Sequence, residues 1–144
     1  MHVVFRVDGS PSIGLGHVAR CRTLAAELRA SGATTELAYC ELPEAMARAC
    51  REEGLPVWEL PGIRGSEQDA SALALRARQS HAQLVVADGY AFDARYTGSL
   101  LGPDVSIAVI DDAAEGVYAC DVLINTNVYA PRGRYELAGG VALL

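Results

Sequence analysis

The chain has 144 residues, 51% of them hydrophobic and 21% charged, which fits one globular domain with a real core and excludes a disordered or low-complexity chain. The formal net charge is −6 and the cations are scattered, which argues against a surface built to neutralise nucleic-acid phosphates. No apolar run approaches the ~20 residues of a membrane span, and the first strand-like run begins too close to Met1 for a secretory leader, so the expected location is cytoplasmic.

Cys21, Cys40, Cys50 and Cys120 show no paired spacing, and the histidines are His2, His17 and His81 alone. A zinc site or disulfide framework is not expected, and reduced thiols are.

His2 to Val7 reads as a strand apolar on both faces, through Val3, Val4, Phe5 and Val7. A helix follows from about His17 to Ala30, with Val18, Cys21, Leu24, Ala25 and Leu28 on one stripe and Gly32 as its stop. Thr34 to Tyr39 is a second strand. The next helix runs from about Pro43 to Glu53 with Pro43 in its first turn, and Leu55 to Leu60 is a third strand. Ser66-Glu67-Gln68-Asp69 resembles a capping box, with Asp where Glu or Gln is usual, and opens a helix through Leu73 and Leu75 to about Ser80. Gln83 to Ala87 is a fourth strand, Ala94 to Leu101 a shorter helix, Val105 to Ile110 a fifth strand and Asp121 to Ile124 a sixth. Strands alternating with helices predict an α/β fold with a Rossmann-like, doubly wound parallel sheet, because parallel neighbours need crossover connections.

Sheets of this kind bind ligands beyond the carboxyl ends of their strands. The polar residues expected there are Asp8, then Asp88-Gly89-Tyr90, then Asp111-Asp112, then Asn125-Thr126-Asn127. Asp and Asn also begin turns after strands, so each has a plainer reading. His17 stands out. The run from Asp8 through Gly14-Leu15-Gly16 to His17 takes the chain from a strand end through a glycine loop into a helix start. A titratable ring then lies beside unpaired backbone N–H groups, which is how a site for an anionic ligand is built.

Gly14-Leu15-Gly16-His17-Val18-Ala19 also fits the alanine-ended dinucleotide fingerprint. Gly9 to Ile13 intervene where that turn should follow its strand tightly, and the ribose-binding acid would fall on Glu36 or Glu41. The glycine match is a bare pattern.

Arg6-Val7-Asp8-Gly9-Ser10, the run Ile13 to Cys21, Asp88-Gly89-Tyr90, Ile110-Asp111-Asp112 and the run Cys120 to Asn127 stand in an order that resembles a known family. It is the family of hydrolases that remove UDP from a 2,4-diacetamido-trideoxy sugar in pseudaminic acid biosynthesis, with related spore coat polysaccharide proteins. The resemblance implies that residues 1–144 form one lobe, the N-terminal lobe of a GT-B-type fold, with the active site in a cleft against a C-terminal lobe that makes most UDP contacts. The run Leu137 to Leu144 resembles the segment leading to that lobe. A UDP-sugar substrate, no cofactor, no metal and an isolated lobe without turnover are also implied.

Hydrolysis at an anomeric carbon ordinarily needs an acid for the leaving group and a base for water. A diphosphate leaves as a stable anion, so the base alone remains useful, and His17 is the candidate. Asp8 either orients the imidazole or caps the loop, and Gly14 and Gly16 line the ligand's approach. Arg20, on the helical face of His17, either touches substrate or pairs with an acid such as Asp8. Tyr90 offers the sugar its hydroxyl or ring face, or packs on the next helix. Asp111 and Asn127 complete the candidate contacts, with turn formation as the other reading of Asn127. The rival readings are the acceptor lobe of a GT-B glycosyltransferase, where a sugar or lipid hydroxyl replaces water, and a non-catalytic domain that binds a sugar or a partner.

Overall fold

A computed structural model of the chain describes residues 1–100, 102–113 and 117–127, together with the backbone of 136–137 and 142–143. In order the elements are β1 (His2–Val7), α1 (Gly16–Ala30), β2 (Thr34–Tyr39), α2 (Glu44–Glu52), β3 (Val57–Glu59), α3 (Glu67–Gln79), β4 (Leu84–Asp88), α4 (Ala94–Gly98), β5 (Ser106–Ile110), β6 (Val117–Tyr118), β7 (Val122–Ile124), β8 (Glu136–Leu137) and β9 (Ala142–Leu143).

The main sheet has the order β3-β2-β1-β4-β5-β7-β9, with neighbours parallel throughout, while β6 and β8 pair separately. The chain winds outward from β1 to β3, then crosses back to β4 and winds the other way. β1 and β4 therefore flank the point where strand order reverses, the place at which open α/β sheets hold ligands.

Helices cover both faces, as the apolar residues on both sides of β1 require. Val3, Phe5 and Val7 pack with Val18, Cys21 and Ala25 of α1 and Cys50 of α2. Val4 points the other way, into a cluster with Leu73 and Ala77 of α3 and Tyr96 of α4.

Arg6 shares that second face and is wholly buried. Its Nε and Nη2 donate to Asp69 Oδ1 and Oδ2 at 2.9 and 2.8 Å, and Asp69 also accepts from the Tyr96 hydroxyl at 2.9 Å and the Gly65 amide at 2.8 Å. The guanidinium lies 4.7 Å from the Phe92 ring centroid. A charge taken out of water needs partners of this kind. Burial works against the arginine's charge, but Asp69 and Asp8 outweigh it and hold the proton more firmly than in water.

Several expectations shift locally. Ser66 caps α3 by accepting from the Asp69 amide at 3.2 Å, but the Asp69 carboxylate takes Arg6 and the amide of Gly65, while the Ser66 amide goes to the Ile63 carbonyl, so the box is not closed. Pro43 sits just before α2 with extended ψ 135°, outside the first turn. β3 keeps only Val57–Glu59, although the Pro56 carbonyl still accepts the Leu37 amide at 2.9 Å. Helix α4 stops at Gly98, where the Ser99 hydroxyl bonds back to the Tyr96 carbonyl; Leu101 lies outside the described residues. Within the segment read as leading to a second lobe, residues 138–141 and 144 lie outside the described residues as well. Among the described residues no helix is long and apolar enough to cross a membrane.

Candidate functional site

Asp88 ends β4, opposite Val7 of β1 and Ile110 of β5, and is wholly buried. A carboxylate in that position must be met by donors. Three side chains of α1 supply them. His17 Nδ1 lies 2.8 Å from Oδ1, Arg20 Nε donates to Oδ2 at 2.8 Å and Nη2 to Oδ1 at 2.5 Å, and the Cys21 thiol approaches Oδ2 at 3.4 Å. Residues i, i+3 and i+4 share one helical face, so a single helix can aim all three at one acid.

The bend before α1 sets that aim. A Cβ on Gly9 would lie 2.8 Å from Val18 Cγ2 and 2.9 Å from Leu15 Cδ2, so glycine is what lets the helix pack against the strand end. Gly14 has φ +84° and donates its amide to the Ser10 carbonyl at 2.7 Å, closing the turn. The helix then starts at Gly16, with no side-chain cap from Leu15 and no acidic residue in its first turn.

His17 Nδ1 also lies 3.0 Å from Arg20 Nη2. A carboxylate only accepts and a guanidinium only donates, so Nδ1 cannot bond both. The buried carboxylate decides: Nδ1 carries the hydrogen and donates to Asp88, Arg20 gives Nε and Nη2 to the same carboxylate, and in the neutral ring the lone pair lies on Nε2. The Arg20 guanidinium is held more firmly protonated by its hydrogen bond to Asp88. Burial pushes the Cys21 thiol well up, which makes it a donor here and not a nucleophile.

Tyr90, just past Asp88, stands edge-on to the His17 ring with centroids 5.1 Å apart and an interplanar angle of 88°. Its hydroxyl donates to Asp112 Oδ1 at 2.9 Å, a bond that raises its pKa, and Arg20 Nη1 reaches Asp112 Oδ2 at 3.4 Å. At 73% exposure the tyrosine does not pack against the next helix. Two hollows of about 260 and 360 Å³ meet at His17, Gly89, Tyr90 and Phe92.

Asp8 is not the acid of His17. It accepts from the Cys40 and Glu41 amides at 2.7 and 2.8 Å and pairs with Arg6 at 2.8 Å, so it ties the end of β1 to the turn after β2. Two residues apart on one strand, Arg6 and Asp8 share a face, and the neighbouring turn takes what remains of the carboxylate. Arg20 accordingly pairs with Asp88 and not with Asp8. Asp111 lines the smaller hollow and accepts the Ala113 amide at 3.2 Å. Asn127 lines neither hollow, and its amide is bonded by Asn125 Oδ1 at 2.7 Å, an Asx turn. Gly14 and Gly16 line neither hollow, while Ser12 and Ile13 of the same loop line the larger one.

The partner that sequence reasoning missed is Asp88 itself. Its signal was available in two facts taken together, an acid at the end of β4 and a helix placing a ring and a guanidinium three residues apart.

No family model matches this chain, and no curated protein matches it. Among solved structures, MurG from Acinetobacter baumannii is similar, with a TM-score of 0.63 over 90% of this chain at 15% identity. The chain spans 42% of that protein's chain. At this identity the likeness shows the fold: a Rossmann-like, doubly wound α/β domain of the kind that forms the N-terminal lobe of a GT-B-type protein.

Proposed function

We propose that this domain is the nucleophile-side lobe of an enzyme that moves a glycosyl group from a UDP-sugar to a hydroxyl, with His17 as general base. The observation that carries the reading is His17 Nδ1 held at 2.8 Å by a wholly buried Asp88, which leaves Nε2 as a proton acceptor beside hollows at the strand-order reversal. As the hydroxyl oxygen bonds to the anomeric carbon, its proton passes to Nε2. The bond from that carbon to the diphosphate breaks, and its electron pair leaves with UDP. Asp88 stabilises the imidazolium that forms, and Arg20 fixes Asp88. The diphosphate needs no protonation, so one base suffices where glycosidases use two carboxyl groups. General base catalysis of this kind contributes on the order of 10²–10⁴ in rate.

The GT-B-like fold supports a second lobe across the cleft as the main holder of UDP, and the transferred group's destination as a sugar or lipid hydroxyl. A second reading, with water as nucleophile, is favoured by the order of the Arg6–Ser10, Ile13–Cys21 and Asp88–Tyr90 motifs, which resembles the UDP-sugar hydrolases.

The test is UDP release from a panel of UDP-sugars by the protein joined to its proposed second lobe. His17→Asn should reduce release on the order of 10²-fold or more while leaving UDP affinity nearly intact. Release without any acceptor points to water, and release only with a hydroxyl acceptor points to transfer. Unchanged turnover in His17→Asn rejects the assignment.

A further inference from the structure

Arg64, in the loop between β3 and α3, lines the larger of the two hollows together with His17 and Tyr90. Both carboxylates on that wall are already engaged. Asp8 holds Arg6 and two backbone amides, and Asp88 holds His17, Arg20 and Cys21. Arg64 differs. Among the described residues its ionic contact is Nη1 to Glu41 Oε2 at 3.9 Å, between side chains 41% and 54% exposed. Such a pair holds a guanidinium weakly and leaves its donor fork open.

The backbone beneath Arg64 is nevertheless tightly placed. Gly65 has φ +75°, and a Cβ there would lie 2.5 Å from the Ala91 carbonyl oxygen, so this loop is pressed against the loop that follows Tyr90. The Gly65 amide is bonded at 2.8 Å to Asp69, the acid of the buried Arg6 network. A loosely paired cation on a firmly clamped loop, facing a hollow with an oriented imidazole, is an arrangement for a ligand and not for the fold.

We infer that Arg64 binds an oxyanion, a phosphate or a carboxylate carried by the substrate whose reacting hydroxyl lies at His17. The planar guanidinium fork matches two oxygens of either group. The inference rests on the reading of His17's hollow as the substrate site and adds the substrate's charge to it.

The test follows amide and imidazole NMR signals of this chain as inorganic phosphate, and in a separate arm acetate, is added at low ionic strength. Saturable shifts at His17 and Tyr90 are expected with one or both anions, and the tighter of the two tells whether the group is a phosphate or a carboxylate. Arg64→Ala should weaken that binding about tenfold, and Arg64→Lys, which keeps the charge but not the fork, should weaken it less. In turnover Arg64→Ala should raise KM about tenfold with kcat little changed. Equal anion affinity in wild type and Arg64→Ala, or no saturable shift at His17, overturns the inference. His17→Asn separates the two readings: if it keeps full turnover while Arg64→Ala loses anion binding, the base assignment fails and the anion contact stands.

Discussion

Asp69 and Asp88 are both wholly buried, and each is gripped by two nitrogens of one arginine fork. They differ in what else reaches them. Asp69 pairs with an arginine that is itself fully buried, and its other donors are a tyrosine hydroxyl and a loop amide. Asp88 pairs with Arg20, whose side chain is 25% exposed, and gives its remaining strength to His17, 11% exposed at the rim. One unit of acid and guanidinium thus serves as an internal tie on one side of the sheet and as the anchor of the proposed base on the other. Access to solvent, and one imidazole, make the difference.

The comparison can be broken most directly at Asp69. Asp69→Asn leaves Arg6 short of its counter-charge in the core and should cost about 3–5 kcal/mol of unfolding free energy, read by urea denaturation. A loss under about 1 kcal/mol would mean that Asp8 alone satisfies Arg6. Asp88→Asn should invert the pattern: turnover falls on the order of 10²–10⁴, because the imidazole loses its orienting acceptor, while stability falls by only about 1–3 kcal/mol. Denaturation and kcat/KM measured on the same preparation check both, and a variant that unfolds readily but turns over normally would erase the distinction.

Glu36 and Arg76 sharpen it as an intermediate case. Arg76 Nε donates to Glu36 Oε1 at 3.0 Å and Nη2 to Oε2, and the guanidinium lies 3.6 Å from the Trp58 ring centroid. Burial works to raise the Glu36 pKa, but the Arg76 hydrogen bond and charge outweigh it and hold the carboxyl below its ordinary value. A lowered folded-state pKa gives stability that is full above the unfolded value and lost as pH falls through the folded one. Wild type should therefore exceed Glu36→Gln by about 1 kcal/mol near neutral pH, with the gap closing as the solution is acidified below the usual glutamate range. A gap independent of pH would assign the difference to packing.

The alternation of elements was readable because the two periodicities, two for strands and 3.6 for helices, are written locally. The strand ends were readable for the same reason, and Asp88 and Tyr90 stand at the rim where the pattern put them. What the pattern does not contain is lateral order. Asp8 is nearest His17 along the chain, but β1 lies between β2 and β4, so the turn after β2 takes Asp8 and the end of β4 meets the ring. Arg6 reads as an intrusion in an apolar strand until Asp69, 63 residues later, is folded against it. β6 has two residues, too few to show any period, and Arg64 sits in a loop where nothing local marks a binding side chain.

Gly9 leaves space for a hydrogen atom and little else between the end of β1 and the first turn of α1. Strand and helix are thereby welded into one bracket, and β1 is in turn laced to β4 along its length. The imidazole and its acid cannot drift apart without tearing the middle of the sheet, so any motion that completes the proposed reaction has to belong to the visitor or to whatever closes over it.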